Sequence, residues 1–382
     1  MKRRAFLGGA ATLAVGAAAA PFLLARSGGA ARPPGYRLLI AGDVHHGDNY
    51  RSSGARIAAE RGYDYSFQHL RPLIGRADYA VVNMETPATD LLTSPISKRF
   101  LHRTSPTGAP PAYARAGIRA VGLANNHSMD YGVPGLADTL RALKASRIRA
   151  LGAGADLAAA EQPLLLRVGG EGAPVRHVAL FSMFERRPEF EGPHSFYAAP
   201  GRPGVAAIDP ARFAKLVELA RRRYDDLFVI ASAHWGRNYA WSTPEQQAMG
   251  RKLVDAGADL VVGHHGHNFQ EMELYDGKWI LYGIGNFLFN SRGRFTEFGD
   301  LPPYGLAAEL DFAPAGSDGG TLARLYPILV DNLVTDYRPQ VPAPAEARAA
   351  LTKLLERSRL SLGHRRVALQ QDRLGLHLQL LV

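Results

Sequence analysis

The chain has no cysteine among its 382 residues. Disulfides, thiolate metal sites and a cysteine nucleophile are therefore excluded. It also lacks low-complexity tracts and internal repeats, and 46% hydrophobic with 21% charged residues is the composition of an ordinary globular protein. A chain of this length can bury a full core in one large or two ordinary domains. Acidic residues are missing altogether from residues 1–31, which carry Lys2, Arg3, Arg4 and Arg26, so four of the +10 formal charges belong to that segment. No Lys/Arg-rich run with interleaved aromatics follows, which argues against a nucleic-acid partner. The remaining basic balance suits an acidic membrane surface or an anionic substrate.

The N-terminus has the layout of an export signal. Its basic head, Met1-Lys2-Arg3-Arg4-Ala5-Phe6-Leu7, precedes a weakly apolar Ala/Gly-rich run to about Ala25 and the small residues Gly28 to Ala31. The paired arginines resemble the twin-arginine type. The expectation is export by the twin-arginine machinery to the periplasm or another extracytoplasmic space, with cleavage near Ala30 or Ala31. Left uncleaved, the run approaches spanning length and would act as a membrane anchor. Membrane contact is expected through this segment alone.

Beyond Pro33-Pro34-Gly35, strand-like and helical patterns alternate, which predicts an α/β fold. Strands are expected at Tyr36 to Ala41, Asp78 to Met84, Ala120 to Leu123, Leu227 to Ala231, Ala258 to Val262 and Trp279 to Tyr282, with a hairpin within 163–185 and further strands near Gly305 to Phe312 and Leu322 to Val330. Helical patterns cover Phe67 to Ala77, Pro111 to Ala116, Val133 to Ser146, Pro210 to Tyr224, Pro244 to Ala256 and Pro344 to Leu360. Three segments are expected: the signal at 1–31, a main domain at 36–335, and a helical extension at 336–382 packing on that domain.

The polar residues gather just past the strands. Asp43, Glu85, Asn126, His234, His265 and His267 each follow the C-terminal end of an expected strand, and open α/β sheets place their sites at that edge. Seven of the 13 histidines fall in these turns. Residues i and i+2 of extended backbone point the same way, so Asp43 with His45, and His265 with His267, are expected to converge. Counted together, Asp43, His45, Glu85, Asn126, His234, His265 and His267 offer seven O/N ligands. That is too many for one tetrahedral ion and suits two divalent ions sharing a carboxylate. Mn, Fe and Zn all fit such a donor set. His127, next to a ligand, is the candidate proton donor. Arg99, Arg103, Arg237 and Asn286 are candidates for holding an anionic group, with a solvated surface as the competing reading for each arginine.

The phrases Asn83-Met84-Glu85-Thr86-Pro87, Leu123 to Gly132, His234-Trp235-Gly236, Gly263 to His267 and Tyr282 to Phe287 resemble, in this order, the CapA (capsule, poly-γ-glutamate biosynthesis) branch of the calcineurin-like metallophosphoesterase superfamily. The resemblance covers roughly residues 36–365. It implies a four-layer α/β/β/α sandwich around a binuclear metal site. Asp43, His45, Glu85 and His267 would hold one ion; Glu85, Asn126, His234 and His265 would hold the other. Two departures stand out. Glu85 replaces the bridging Asp usual in the superfamily, and His45 is present although the branch often lacks it. Hydrolysis by a metal-bridging hydroxide, with His127 protonating the leaving group, is the simplest expected activity. The alternative is a factor in making, exporting or anchoring an anionic envelope polymer, which binds polymer or acts on an amide. A binding protein on an inactive scaffold is a third.

Overall fold

The computed structural model describes residues 35–47, 53–168, 175–192, 195–291, 295–297, 301–313 and 320–382. The expected export segment lies outside them. Among the described residues, no helix is long and apolar enough to cross a membrane. In chain order the strands are β1 (Tyr36–His45), β2 (Tyr79–Met84), β3 (Ala120–Gly122), β4 (Arg149–Leu151), β5 (Ala153–Gly154), β6 (Leu164–Val168), β7 (Arg176–Phe184), β8 (Gly204–Val205) and β9 (Leu227–His234). Then follow β10 (Leu260–His264), β11 (Met272–Tyr275), β12 (Lys278–Leu281), β13 (Asn286–Phe289), β14 (Tyr304–Phe312), β15 (Leu322–Leu329), β16 (Val367–Asp372) and β17 (Gly375–Leu381).

Two large sheets result. The first has the order β16-β17-β15-β14-β1-β2-β3-β4, with β13 also on β1; the second has the order β11-β12-β10-β9-β7-β6. Side-chain alternation sorts the strand residues into layers. Leu39, Ala41, Val82 and Val121 face the helices Ala109–Ala116 and Gly132–Ala145. Leu38, Ile40, Val81 and Ala120 face the other way and meet Val178, Leu180, Ile230 and Val262 of the second sheet. Val229, Ala231 and Val261, on that sheet's far side, pack on Phe213, Val217 and Leu253 of the helices Pro210–Arg223 and Pro244–Asp255. The architecture is therefore an α/β/β/α sandwich. Both outer helices of the second half begin with proline behind a side-chain cap: Asp209 accepts from Arg212 N–H, and Thr243 and Gln246 form a reciprocal capping box.

Two expectations are corrected. The helical pattern over 67–77 is realised as a 3₁₀ turn, Tyr65–Phe67, and a short helix, Arg71–Ile74, because Pro72 can sit only in a first turn. The extension at 336–382 is not wholly helical. After the helix Pro344–Arg357, β16 and β17 form an antiparallel hairpin, and β17 pairs with β15.

A buried ion network pins this hairpin. Arg76 grips Glu309 of β14 with two bonds, Nε–Oε2 at 2.6 Å and Nη2–Oε1 at 2.7 Å, and also bonds Asp372 at the end of β16. Arg324 adds a bond to the same Glu309 oxygen at 2.8 Å. Breaking a buried pair leaves an uncompensated charge, so Arg76→Met is expected to cost about 3–5 kcal/mol in urea unfolding. Burial alone would raise the Asp372 carboxyl, but its bonds from Arg76 and Tyr326 hold it well below the usual range. A depressed carboxyl contributes stability above its unfolded pKa of about 3.9 and loses it as the pH falls further. The wild-type unfolding free energy should therefore drop more steeply below about pH 4 than that of Arg76→Met.

Candidate metal centre

The site continues the layer between the sheets. On β2 and just past its end, Asn83 and Glu85 extend the inward face of Val81; on β9, His234 extends that of Ile230. β1 needs a correction to join them, since unbroken alternation would turn Asp43 toward the helices with Leu39 and Ala41. The β1–β2 register shifts between Ala41 and Asp43, which makes Gly42 an extra residue and leaves Val44 on the helix side. Asp43 thereby faces inward. Gly42 is also where β1 exchanges β14 for β13 as its neighbour. A Cβ there would lie 1.8 Å from the Gly285 carbonyl oxygen, so only glycine fits.

Two groups of ligand-type atoms meet at this edge. One atom each from Glu85, His234 and His265 lie within 4.8 Å of one another, as do one each from Asp43, Glu85 and His267. Glu85 belongs to both. Asn126 adds to the first group: its Oδ1 lies 2.7 Å from His234 Nε2, which is also 3.0 Å from His265 Nδ1 and 3.6 Å from Glu85 Oε1. One ring nitrogen carries at most one proton, so this crowding exceeds what hydrogen bonding alone uses. In the second group, Asp43 Oδ2 accepts from the His265 backbone N–H at 3.0 Å and lies 3.9 Å from His267 Nδ1, which bonds Asn286 Oδ1 at 2.9 Å.

Electrostatics suits a cation. Glu85 is fully buried, and neither carboxylate oxygen has a hydrogen-bond partner among the described residues. Burial, and then the charge of Asp43, push its carboxyl well above the ordinary range despite Lys98. Burial likewise pushes His234 and His265 well below theirs, with neighbouring His265 acting next on His234 and Arg187 next on His265. Neutral imidazoles are the ligating form, and a cation would replace the proton that burial favours on Glu85. The residues present therefore fit a metal site.

The turn carrying Asn126 is built from its own side chains. Asn125 Oδ1 accepts from the N–H groups of His127 and Ser128, each at 3.0 Å, while its Nδ2 donates to Met84 O at 2.9 Å. His127 Nδ1 lies 2.7 Å from Asp130 Oδ2. Burial, followed by the charge of Lys98, drives the His127 imidazole well below its ordinary pKa.

The remaining assignments separate. Asp43, Glu85, Asn126, His234, His265 and His267 come together. His45 leaves β1 but belongs to neither group: its Nδ1 lies 2.8 Å from Asn290 Oδ1 and its ring stacks on Phe289, centroids 4.3 Å apart. His265 and His267 do not converge as extended residues, because both have positive φ, 90° and 60°, and each serves a different group. That backbone is strained for non-glycine residues. Arg99 and Arg237 are exposed, Arg99 lying over Phe100, while half-buried Arg103 bonds Tyr131. Asn286 is next to His267. Sequence reasoning missed Asn83, whose Nδ2 lies 2.8 Å from Asp43 Oδ1 and 3.3 Å from His234 Nδ1. It also missed the roles of Lys98, Asp130 and Arg187. Asn83 was legible as an inward position of β2; Arg187, held to Glu185 by Nε–Oε2 at 3.0 Å, had no pattern to mark it.

A two-sheet sandwich with paired acid–imidazole groups at its strand ends is of the metallophosphoesterase-like class. Residues 37–291 match the family described as bacterial capsule synthesis protein PGA_cap, and the chain belongs to that family. It is 27% identical over 339 residues to the capsule biosynthesis protein CapA of Bacillus anthracis, covering 86% of this chain and 78% of that protein. It is 29% identical over 252 residues to the PGA biosynthesis protein CapA of Bacillus subtilis, covering 66% and 63%. A probable polyglutamine synthesis accessory protein of Mycobacterium tuberculosis is 38% identical over 225 residues, 56% and 57% of the two chains. The chain thus spans less than two thirds of the length of the last two relatives.

Glu85→Gln separates a metal role from a packing role. In chelator, the amide stands in for the protonated carboxyl that burial favours without needing a proton taken up, and the variant is expected to be at least as stable as wild type. With Mn²⁺ at about 100 times the wild-type Kd, wild type should gain about 2.7 kcal/mol in unfolding free energy and Glu85→Gln little. Equal gains for both would remove Glu85 from the metal site.

Proposed function

We propose that this protein is an exported, metal-dependent hydrolase of the phosphoesterase type, acting on an anionic small molecule or envelope polymer in the capsule pathway that its family names. The observation carrying this reading is Glu85, shared by both ligand groups and otherwise without a hydrogen-bond partner. Asp43, Glu85 and His267 would hold one divalent ion of the Mn, Fe or Zn class, and Glu85, Asn126, His234 and His265 the other. Such a pair lowers the pKa of a water and neutralises charge developing on phosphoryl oxygens.

The chain's own part is to fix ligands and move a proton. Asn83 holds Asp43 and His234 in register, and Asn286 holds His267. With Nδ1–H donated to Asp130, neutral His127 presents Nε2 as its acceptor. That nitrogen takes up a proton and passes it to the departing oxygen; an anionic substrate beside it favours the protonated ring. Export rests on the twin-arginine pattern of residues 1–31 and is read out by cell fractionation.

The names of the relatives favour a second reading, in which the site serves polymer assembly or anchoring without phosphoester cleavage. Metal analysis of the purified mature chain, with turnover of bis(p-nitrophenyl) phosphate, decides between them. Two bound transition metals and metal-dependent turnover are expected, with His127→Ala retaining metal and losing about 10²–10⁴-fold in kcat. Absence of bound metal overturns the proposal, and metal without turnover transfers the case to the polymer reading.

A further inference from the structure

Residues 88–104 form a strap with little regular structure. Its base is closed by Thr89 N–H to Thr104 O at 3.1 Å and Thr104 N–H to Pro87 O at 2.9 Å. Its inward polar contacts fall on the turn that carries Asn126 and His127. Ser94 Oγ donates to Asp130 O at 2.6 Å, and His102 N–H donates to Asp130 Oδ2 at 2.7 Å. Between these anchors Lys98 turns its ammonium inward. It bonds the Asn126 carbonyl, lies 2.7 Å from Asp130 Oδ1 and sits 3.1 Å from His127 Nδ1. Phe190 and Phe196 cover it, their ring centroids 5.7 and 5.9 Å from Nζ.

A surface strap needs no inward-turned lysine, and an ammonium largely withdrawn from water is costly unless paired. The contacts suggest what it does. Asp130 is fully buried and divides its carboxylate between Lys98 on Oδ1 and the His127 ring on Oδ2. With one proton on His127 Nδ1 aimed at Asp130, the other ring nitrogen, Nε2, is left as the acceptor. The same ammonium fixes the backbone of Asn126, the residue proposed as a ligand.

We propose that Lys98 is a positioning residue of this site: by bonding the Asn126 carbonyl and Asp130 beside the His127 ring, it sets the direction of the amide ligand and the tautomer of the imidazole. This rests on the hydrolase reading above. The absence of cysteine provides a clean test. Lys98→Cys introduces a single thiol, and its displacement of bromide from 2-bromoethylamine, in mild denaturant, restores an ammonium at nearly the original distance. The variant is expected to lose about 100-fold in kcat with KM within about threefold, because a misplaced group costs on that order. Aminoethylation should recover kcat to within about threefold; capping with iodoacetamide should not.

Retention of kcat in Lys98→Cys, or loss that aminoethylation does not recover although metal content is normal, overturns the proposal. If Lys98→Cys does not fold, Lys98→Met/Asp130→Asn removes the unpaired charge, and wild-type kcat there is equally fatal. Should wild type turn over no phosphodiester, the hydrolase reading fails separately. Lys98 is then judged on the ¹⁵N signals of the His127 ring, and unchanged signals in the variant overturn its role.

Discussion

A carboxylate buried without a hydrogen bond is the constraint around which this protein is arranged. Glu85 sits between two sets of imidazoles, neither of its oxygens bonded among the described residues. Left alone, such a group is expensive, and the chain places a second carboxylate, Asp43, close enough to make it worse. The surrounding histidines are pushed toward their neutral forms by burial, so they offer lone pairs and not balancing charge. Acids that want a cation and imidazoles held neutral form a donor set compatible with a metal site.

The backbone accommodates that demand locally. One extra residue at Gly42 turns Asp43 inward, and β1 changes neighbour at the same point. Positive φ at His265 and His267 divides two residues of one short turn between the two groups. The hydrophobic layer between the sheets thus becomes a polar layer at its end. Lys98, held between that layer and the aromatic rings of Phe190 and Phe196, brings a basic side chain into the same end without adding a ligand.

Much of this was legible in the sequence, because strand ends and ligand-type residues coincide there. Asp43, Glu85, Asn126, His234, His265 and His267 could each be named from a strand followed by a polar turn. The α/β/β/α sandwich came from the resemblance those motifs carry. For His45, spacing shows which side a residue leaves but not what meets its ring, here Asn290 at Nδ1 and the Phe289 face. The hairpin of β16 and β17 was missed although Leu376, Leu378 and Leu380 alternate along β17, because its partner β16 carries Gln370 and Gln371 side by side and shows no such period. Lys98 and Asp130 were invisible as a pair: 32 residues separate them, and only the fold of the strap brings the two charges together.

The measurement that bears most directly on this account is anomalous diffraction from crystals of the mature protein grown with Mn²⁺. Two anomalous peaks are expected, roughly 3.5–4 Å apart, one on each side of the Glu85 carboxylate. A site with no anomalous density near Glu85, while Glu85 remains buried without a partner, would contradict it.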